Sequence, residues 1–292
     1  MTKQALITGG TKGIGRAVAD VLARAGYDLT LTYGADTVAA EEAAEAIRTA
    51  SAVRVDLLQA DITDPASIAR VASHFEASDT TLDAVVLNAG TTYRASFEEL
   101  ELAEWERQFF ANVHFPVFLL QRLVKRIRRG AGVVFTGSLM AVEPHGMSLS
   151  YGVTKSAVHA LAKNLVKFLA PYGIRVNAVA PGFVDTDWHR TKPAEVRRNI
   201  EEKIALGRFC SPEEVAEVYR MLGGEQEHGE ELQGRGQAGG GGGVVGEDAQ
   251  HQPVLSHALH PGPGVGHEGG QEPDPVVVES QGGEDATAGA AR

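Results

Sequence analysis

Three residues in one stretch of the chain have the types and the spacing for proton chemistry on a carbonyl group. Tyr151 and Lys155 stand four positions apart at the predicted start of a helix, so their side chains share one face, one turn apart. Because a nearby ammonium favours the phenolate, we expect Lys155 to lower the pKa of Tyr151 below its ordinary value of about 10. Ser138 follows a predicted strand and could hold a substrate carbonyl against that phenol. The same tyrosine and lysine spacing also occurs by chance in helices without catalytic function.

A glycine-rich turn near the start of the chain could bind a phosphate. Gly9, Gly13 and Gly15 separate a short apolar run from an apolar-periodic segment that continues through Arg24. This pattern predicts a strand, a turn and a helix. Glycines let the backbone turn tightly, and the free amides at a helix start favour an anion. An ordinary turn has the same composition, but the position directly after the first strand favours a nucleotide site.

The end of the second predicted strand bears on the choice of cofactor. In doubly wound folds, an acidic residue at this point pairs with the ribose hydroxyls of NAD and repels a 2′-phosphate. This chain has Tyr33 and Gly34 there, and Lys12 lies inside the glycine turn. Charge therefore favours NADP(H), while Asp36 lies close enough to keep NAD(H) as the alternative.

Polar residues also follow other predicted strands. Asp61 ends the third strand, where it could accept from an adenine amine, and Asn88 ends the fourth. Strand and helix alternate six times, which predicts an α/β fold with a doubly wound, mostly parallel sheet in three layers. Ligands bind at the carboxyl ends of the strands in such sheets. A long predicted helix from Glu104 to Arg129 carries Asn112, whose buried amide needs hydrogen-bond partners.

Composition divides the chain near Gly224. Of the 38 acidic and 27 basic residues, 12 and 2 lie beyond that point, so the body is nearly balanced and carries little of the net charge of -11. Balanced charge gives no reason to expect a nucleic-acid partner. A lone Cys210 excludes an internal disulfide and a cysteine-based metal site, and we predict no metal. Neither a membrane span nor a signal-peptide core is found, which predicts a cytoplasmic protein.

Residues 3 to about 222 resemble the short-chain dehydrogenase/reductase family. The resemblance rests on the glycine turn with its flanking threonines, Asp61, the Asn-Ala-Gly run after the fourth strand, Asn112, Ser138, Tyr151, Lys155 and the Pro-Gly pair after the sixth strand. It implies a Rossmann-like, nicotinamide-dependent oxidoreductase. In that role Tyr151 transfers the proton, Ser138 orients the carbonyl, Lys155 holds the nicotinamide ribose, and Asn112 anchors a water chain. The implied cofactor-binding residues are Gly9, Thr11, Lys12, Gly13, Ile14, Gly15, Tyr33, Asp61, Asn88, Ala89, Gly90, Tyr151, Lys155, Pro181, Gly182 and Val184.

Within that family the chain is most similar to the 3-oxoacyl-[acyl-carrier-protein] reductases of fatty-acid synthesis. The likeness lies in Lys12, in the segment from Pro181 to Thr186 and in a basic run from Arg122 to Arg129. It implies a 3-oxoacyl thioester substrate, an acyl carrier protein as partner and a homo-oligomer. The basic run could equally complement a helix dipole. Because the loop from Leu139 to Ser150 departs from the reductase pattern, a sugar, polyol or other alcohol dehydrogenase stays as an alternative.

The family pattern breaks after a helix that begins near Ser211. We predict a catalytic domain over residues 1–224 and a Gly-rich acidic tail over 225–292, which is too poor in apolar residues to order itself. The family's usual last strand is missing, and the run from Gly239 to Val245 is too poor in side chains to replace it. We hypothesise a frame change in the gene. Sequencing the gene and searching its other reading frames for the missing strand tests this hypothesis. Loss of that strand would expose the edge of the sheet and weaken oligomers. A catalytically impaired nucleotide-binding protein is therefore the competing function.

Overall fold

A computed structural model describes residues 2–78, 80–144, 146, 148–224 and 256–257. The strands are β1 Lys3–Ile7, β2 Tyr27–Tyr33, β3 Val55–Gln59, β4 Leu82–Leu87, β5 Ile127–Thr136, β6 Arg175–Ala180 and β7 Ser256–His257. The α-helices are α1 Gly13–Arg24, α2 Thr37–Ser51, α3 Ala66–Glu76, α4 Leu102–Phe109, α5 Phe115–Leu123, α6 Leu149–Leu169, α7 Asp187–Arg190, α8 Ala194–Glu201 and α9 Pro212–Gly223.

The strands form one parallel sheet in the order β3-β2-β1-β4-β5-β6-β7. The order reverses between β1 and β4, so the carboxyl ends of these two strands open onto a crevice. Alternate residues of β1 face opposite sides: Ala5 and Ile7 join one apolar core, and Leu6 joins the other. Helices α1, α2 and α9 cover the first face, whereas α3, α5 and α6 cover the second. The predicted doubly wound, three-layered fold is confirmed.

The edge of the sheet beside β6 differs from the sequence expectation. A parallel pair of only two residues, Ser256–His257, lies against Val179 and Ala180. The predicted six strands are therefore present, and a short seventh strand, β7, lies beside β6 at the edge of the sheet. The glycine run from Gly239 to Val245 and most of the predicted tail lie outside the described residues.

The single helix predicted from Glu104 to Arg129 is wrong. The segment is α4, a π-helical turn over Phe110–His114, α5, a 3-10 turn over Val124–Arg126, and then the start of β5. Pro116 explains the break, because proline has no N–H to donate to the carbonyl four residues before it and its ring crowds that carbonyl. The last two arginines of the predicted basic helix end, Arg128 and Arg129, consequently lie in β5.

Candidate active site

The end of β5 and the first turns of α6 bring together the three residues proposed for proton chemistry. Ser138 is buried just beyond β5, and its Oγ accepts a hydrogen bond from the Met140 amide at 3.2 Å. The Ser138 hydroxyl also acts on Tyr151, where it opposes the rise that burial causes in the pKa of the phenol. Lys155 Nζ lies 5.6 Å from the centroid of the Tyr151 ring. The predicted common face of Tyr151 and Lys155 is therefore present, with Ser138 beside it.

The expected lowering of the Tyr151 pKa is wrong for this ligand-free arrangement. Burial raises the pKa of Tyr151, because the phenolate would lose its hydration, and the nearby Ser138 hydroxyl offsets only part of that rise. Burial also lowers the pKa of Lys155 to about 8. The ammonium lies over the ring and does not hydrogen-bond to the phenol. Tyr151 thus stays protonated, which is the form that a general acid needs.

A backbone carbonyl at the end of β5 holds Lys155. Lys155 Nζ donates to Thr136 O at 2.6 Å, and the side chain is 3% exposed. Gly90 lies opposite, where an added Cβ would approach Nζ to 3.4 Å and the Asn112 Oδ1 to 3.2 Å. The absence of a side chain at Gly90 therefore lets Lys155 and Asn112 lie close to the backbone after β4.

Asn112 occupies the π-helical turn between α4 and α5. Its amide donates to Thr91 O at 2.9 Å and to the Thr154 hydroxyl at 3.0 Å, and its Oδ1 accepts from the Thr91 amide at 2.9 Å. Pro116 lies four residues later and cannot supply the α-helical donor for the Asn112 carbonyl. Single π turns of this kind are common at functional sites. The Asn112 side chain thus joins this turn to Thr91 and to Thr154 of α6.

A cleft of about 340 Å³ lies at the point where the strand order reverses. Residues from the ends of β1, β2, β3 and β4 line it: Gly9, Thr32, Tyr33, Gly34, Ala60, Asp61, Ile62, Asn88, Ala89 and Gly90. One carboxylate oxygen of Asp61 accepts from both the amide and the hydroxyl of Thr63 at 2.8 Å, which lowers the pKa of Asp61 and keeps it charged. Six of the predicted cofactor-binding residues therefore share one cleft.

The backbone segments of the glycine turn pack so closely against each other that side chains would not fit between them. Gly9 and Gly13 have φ values of +64° and +54°, which residues with side chains rarely adopt. At Gly15 an added Cβ would lie 2.1 Å from Gly9 O, so no other residue fits there. Asn88 supports the turn from below by donating from its side-chain amide to the carbonyls of Thr8 and Gly9 at 3.2 and 3.3 Å. The first turn of α1 thus presents its amides above a fixed loop.

Lys12 and Asp36 form an ion pair at the mouth of this turn. Both side chains are about half exposed, at 54% and 53%, and the contact lowers the pKa of Asp36. Asp36 also caps α2 by accepting from the Ala39 amide at 3.1 Å. The cation expected to favour NADP(H) and the acid expected to keep NAD(H) as an alternative therefore neutralise each other.

The remaining predicted cofactor-binding residues flank the site. Thr11 is buried in the glycine turn, and Ile14 packs against the core beneath α1. Pro181 accepts from the Leu139 amide at 2.9 Å, which joins the loop after β6 to the loop that carries Ser138. Gly182 follows it, and an added Cβ there would meet only the Leu139 side chain, at 3.7 Å. Val184 is a core residue with an isolated bridge to Cys210.

Sequence reasoning missed three residues that build the site. Thr154 binds the Asn112 amide, Thr136 binds Lys155, and His159 Nε2 accepts from the Ser138 amide at 3.4 Å. His159 fills the space left by Gly137, where an added Cβ would lie 2.1 Å from Nε2. The helical spacing of Tyr151, Lys155 and His159 was the available signal, since residues four apart lie on one face.

Comparison with known proteins identifies the family. A family model described as enoyl-(acyl carrier protein) reductase matches residues 9–229. The uncharacterized oxidoreductase YmfI of Bacillus subtilis is 35% identical over 76% of this chain and 91% of that protein. The 3-oxoacyl-[acyl-carrier-protein] reductase FabG of Aquifex aeolicus is 33% identical over 75% of this chain and 89% of that protein. The chain belongs to the short-chain dehydrogenase/reductase family of oxidoreductases.

Solved structures agree with this assignment. A short-chain dehydrogenase from Burkholderia cenocepacia, in complex with NADP, matches with a TM-score of 0.69 and 30% identity over 76% of this chain and 90% of that one. The angucycline C-6 ketoreductase LanV with bound NADP matches with a TM-score of 0.72 and 28% identity over 76% and 89%. None of the helices that the structure describes has both the length and the apolar character of a membrane span. The described residues also contain no group of three metal-ligating side chains.

Proposed function

We propose that this protein is an NADPH-dependent carbonyl reductase whose substrate is a 3-oxoacyl thioester. The observation that carries the proposal is the grouping of buried Ser138, partly buried Tyr151 and buried Lys155, with the Lys155 ammonium over the Tyr151 ring. These groups lie at the carboxyl ends of strands, next to a cleft with a glycine turn at its floor. The FabG relative supports the choice of a 3-oxoacyl substrate and a role in fatty-acid synthesis.

The residues have complementary roles in the proposed reduction. A bound NADPH supplies the hydride to the carbonyl carbon. Ser138 has its Oγ fixed by the Met140 amide, so its O–H can point to the carbonyl oxygen. Tyr151 gives its proton to that oxygen as negative charge develops. Lys155 then stabilises the phenolate, because the ammonium lies one helical turn away in a site of low dielectric.

The structure offers a fit for the nucleotide in the glycine turn and the cleft beside it. The amides at the start of α1 would hold the pyrophosphate, Asp61 would face the adenine, and Tyr33 would lie along the adenosine ribose. Lys155 would hold the nicotinamide ribose from beside Gly90, whose lack of a side chain lets the ammonium lie close to the backbone. The NADP-bound Burkholderia and LanV structures support the same choice of cofactor.

The ion pair of Lys12 with Asp36 allows a direct test of cofactor choice. D36N keeps a capping side chain at the start of α2 but releases the Lys12 charge, so we expect it to increase the preference for NADPH over NADH. K12A should decrease that preference, because it removes the cation from the glycine turn. Ratios of kcat/KM for the two cofactors measure both effects. Higher wild-type efficiency with NADH would instead support an NAD-dependent alcohol dehydrogenase.

An acyl carrier protein is the proposed carrier of the substrate, but the predicted basic surface is smaller than expected. Arg122 binds Glu76 at 2.7 Å, and Arg128 binds Asp83 at 3.1 Å. Arg126 donates to the Glu76 carbonyl at 3.0 Å, so Lys125 and Arg129 are the exposed cations of that run that we select to test for docking. We expect K125E and R129E to raise KM for a carrier-bound substrate and to leave KM for a small thioester unchanged.

One assay separates the proposed enzyme from a nucleotide-binding protein without turnover. NADPH oxidation is measured with an acetoacetyl thioester and a panel of other carbonyl compounds. Y151F should lower kcat by about 10²- to 10⁴-fold, as expected for loss of a general acid, and should still bind NADPH. Y172F, at an exposed tyrosine beyond the end of α6, is the matched control and should keep wild-type turnover. NADPH binding with no turnover on any carbonyl would refute the reductase proposal.

A further inference from the structure

A buried tyrosine on helix α9 is connected to the glycine turn by hydrogen bonds. Tyr219 of α9 is 0% exposed, and its hydroxyl lies 2.8 Å from the Thr136 hydroxyl. Thr136 Oγ1 in turn donates to Asn88 Oδ1 at 3.3 Å. Asn88 donates to the carbonyls of Thr8 and Gly9. A chain of three side chains therefore runs from α9 to the first glycine of the turn.

The direction of every hydrogen bond in this chain is fixed. The Thr136 hydroxyl has one proton, which goes to Asn88 Oδ1, so Tyr219 must be the donor to Thr136. Burial raises the pKa of Tyr219, which keeps it in the donor form. The orientation of the Asn88 amide follows, with its oxygen toward Thr136 and its nitrogen toward the glycine turn. Polar chains that are satisfied in this way hold one geometry.

Both ends of α9 are fastened, so Tyr219 has a defined place. At the start, Ser211 and Glu214 form a capping box, and Arg208 binds the Glu214 carboxylate at 2.7 Å. At the end, Arg175 of β6 donates to the Leu222 carbonyl at 2.8 Å and also binds the Gly224 carbonyl. The helix cannot slide along its axis without breaking one of these contacts.

The position of Asn88 leaves little freedom above it. A Cβ added at Gly15 would lie 2.6 Å from the Asn88 amide nitrogen, and one added at Gly9 would lie 3.4 Å from it. The carboxamide therefore lies tightly packed under the turn. If it rotated, the carbonyls of Thr8 and Gly9 would lose the hydrogen bonds that the Asn88 amide donates. What holds it against rotation is the hydrogen bond from Thr136, which Tyr219 completes.

We propose that Tyr219 is a positioning residue that locks Asn88 beneath the glycine turn and thereby increases affinity for NADPH. The proposal rests on the proposed function for the identity of the ligand. It assigns a role to α9, which contributes none of the predicted catalytic or cofactor-binding residues. The hydroxyl of Tyr219, and not its ring, carries this role.

Substitutions in the full chain separate the hydroxyl from the ring. Y219F should raise the Kd for NADPH about fivefold, the worth of one intramolecular hydrogen bond. Y27F is the matched control, since Tyr27 is buried in the same core but lies outside the chain of hydrogen bonds to Asn88. T136V should weaken binding about tenfold or more, because it removes the partner that Thr136 provides to the Tyr219 hydroxyl and to Asn88 Oδ1. T136S keeps the hydroxyl and should stay close to wild type.

Two measurements decide the proposal. NADPH fluorescence titration gives the Kd, and hydrogen exchange of the ligand-free protein follows peptides over residues 8–15. We expect faster exchange of these peptides in Y219F than in Y27F, and no further loss of affinity when Y219F is added to T136V. Equal Kd values and equal exchange in Y219F and Y27F would overturn the proposal. If the wild type binds no nicotinamide nucleotide, the proposed function fails, and the exchange experiment alone then decides whether Tyr219 positions the turn.

Discussion

Lys155 should make the ligand-free protein less stable while making it active. The ammonium is 3% exposed and is surrounded by the ends of β4 and β5, where burial lowers the pKa of Lys155 to about 8 from an ordinary 10.5. A lowered pKa means that the folded state binds the proton less well than the unfolded chain does. Replacement of Lys155 by Met keeps the length of the side chain and removes the charge.

The expected gain in stability follows from the pKa. The difference of 2.5 between 10.5 and about 8 corresponds to about 3 kcal/mol that the charged form costs the folded state at pH 7. K155M also leaves the Thr136 carbonyl without its donor, which costs about 1 kcal/mol. We therefore expect K155M to raise the free energy of unfolding by about 2 kcal/mol at pH 7.

The pH dependence provides the sharper test. Below pH 8 the folded and the unfolded wild-type chains both carry the charge, and the full cost is present. As the pH rises from about 8 to 10.5, the folded chain loses its proton first, so wild type gains stability relative to K155M. Near pH 10.5 the advantage of K155M should be gone, and the lost hydrogen bond should leave it slightly less stable than wild type.

Urea unfolding of the ligand-free protein at several pH values measures this difference. K167M is the matched control, because Lys167 lies on the exposed side of the same helix. It should show no pH-dependent difference from wild type between pH 7 and pH 10 beyond about 0.5 kcal/mol. K155M should also lose turnover. A stability difference between K155M and wild type that is constant with pH would refute the reasoning, whatever its sign.

Three further predictions concern packing, charge and thiol chemistry. G137A should destabilise by about 1–3 kcal/mol through its clash with His159, and H159A should recover part of that loss in a double-mutant cycle of urea unfolding. R128M should cost about 2 kcal/mol in the same assay, because it removes the cation that pairs with the buried Asp83 carboxylate, and D83N should restore part of that loss. Burial raises the pKa of Cys210 to about 11 from 9.0, so alkylation by iodoacetamide at pH 8 should be about a hundredfold slower in the folded protein than in urea.

The fold could be predicted because the alternation of apolar strands and periodic helices is local in the sequence. The strand ends, and with them the cleft residues Gly9, Asp61 and Asn88, followed from that alternation. The break in the predicted long helix was also local, since Pro116 marks it, but the run of apolar residues around it concealed the signal. Boundaries in such segments depend on tertiary contacts of residues like Asn112, which the sequence does not display.

Electrostatic features were less predictable, because they depend on distances between elements. The pKa of Tyr151 rises because the surrounding elements exclude water, an effect that spacing along one helix cannot reveal. The pairing of Lys12 with Asp36 joins residues 24 positions apart and removes much of the charge on which the choice of cofactor rested. Arg128 seemed available in the sequence, yet Asp83 of β4 binds it.

Thr136 illustrates why part of a site is invisible in a sequence even when its chemistry is recognised. The residue ends a strand, and nothing in its type or spacing distinguishes it from Thr8 or Thr32. In the folded protein its carbonyl holds Lys155, while its hydroxyl connects Tyr219 to Asn88. The backbone of one residue thus serves the proton chemistry, and its side chain serves the glycine turn. In a strand the backbone carbonyl and the side chain point in different directions. A substitution at Thr136 can therefore remove the hydroxyl that supports the glycine turn while the carbonyl still accepts from Lys155.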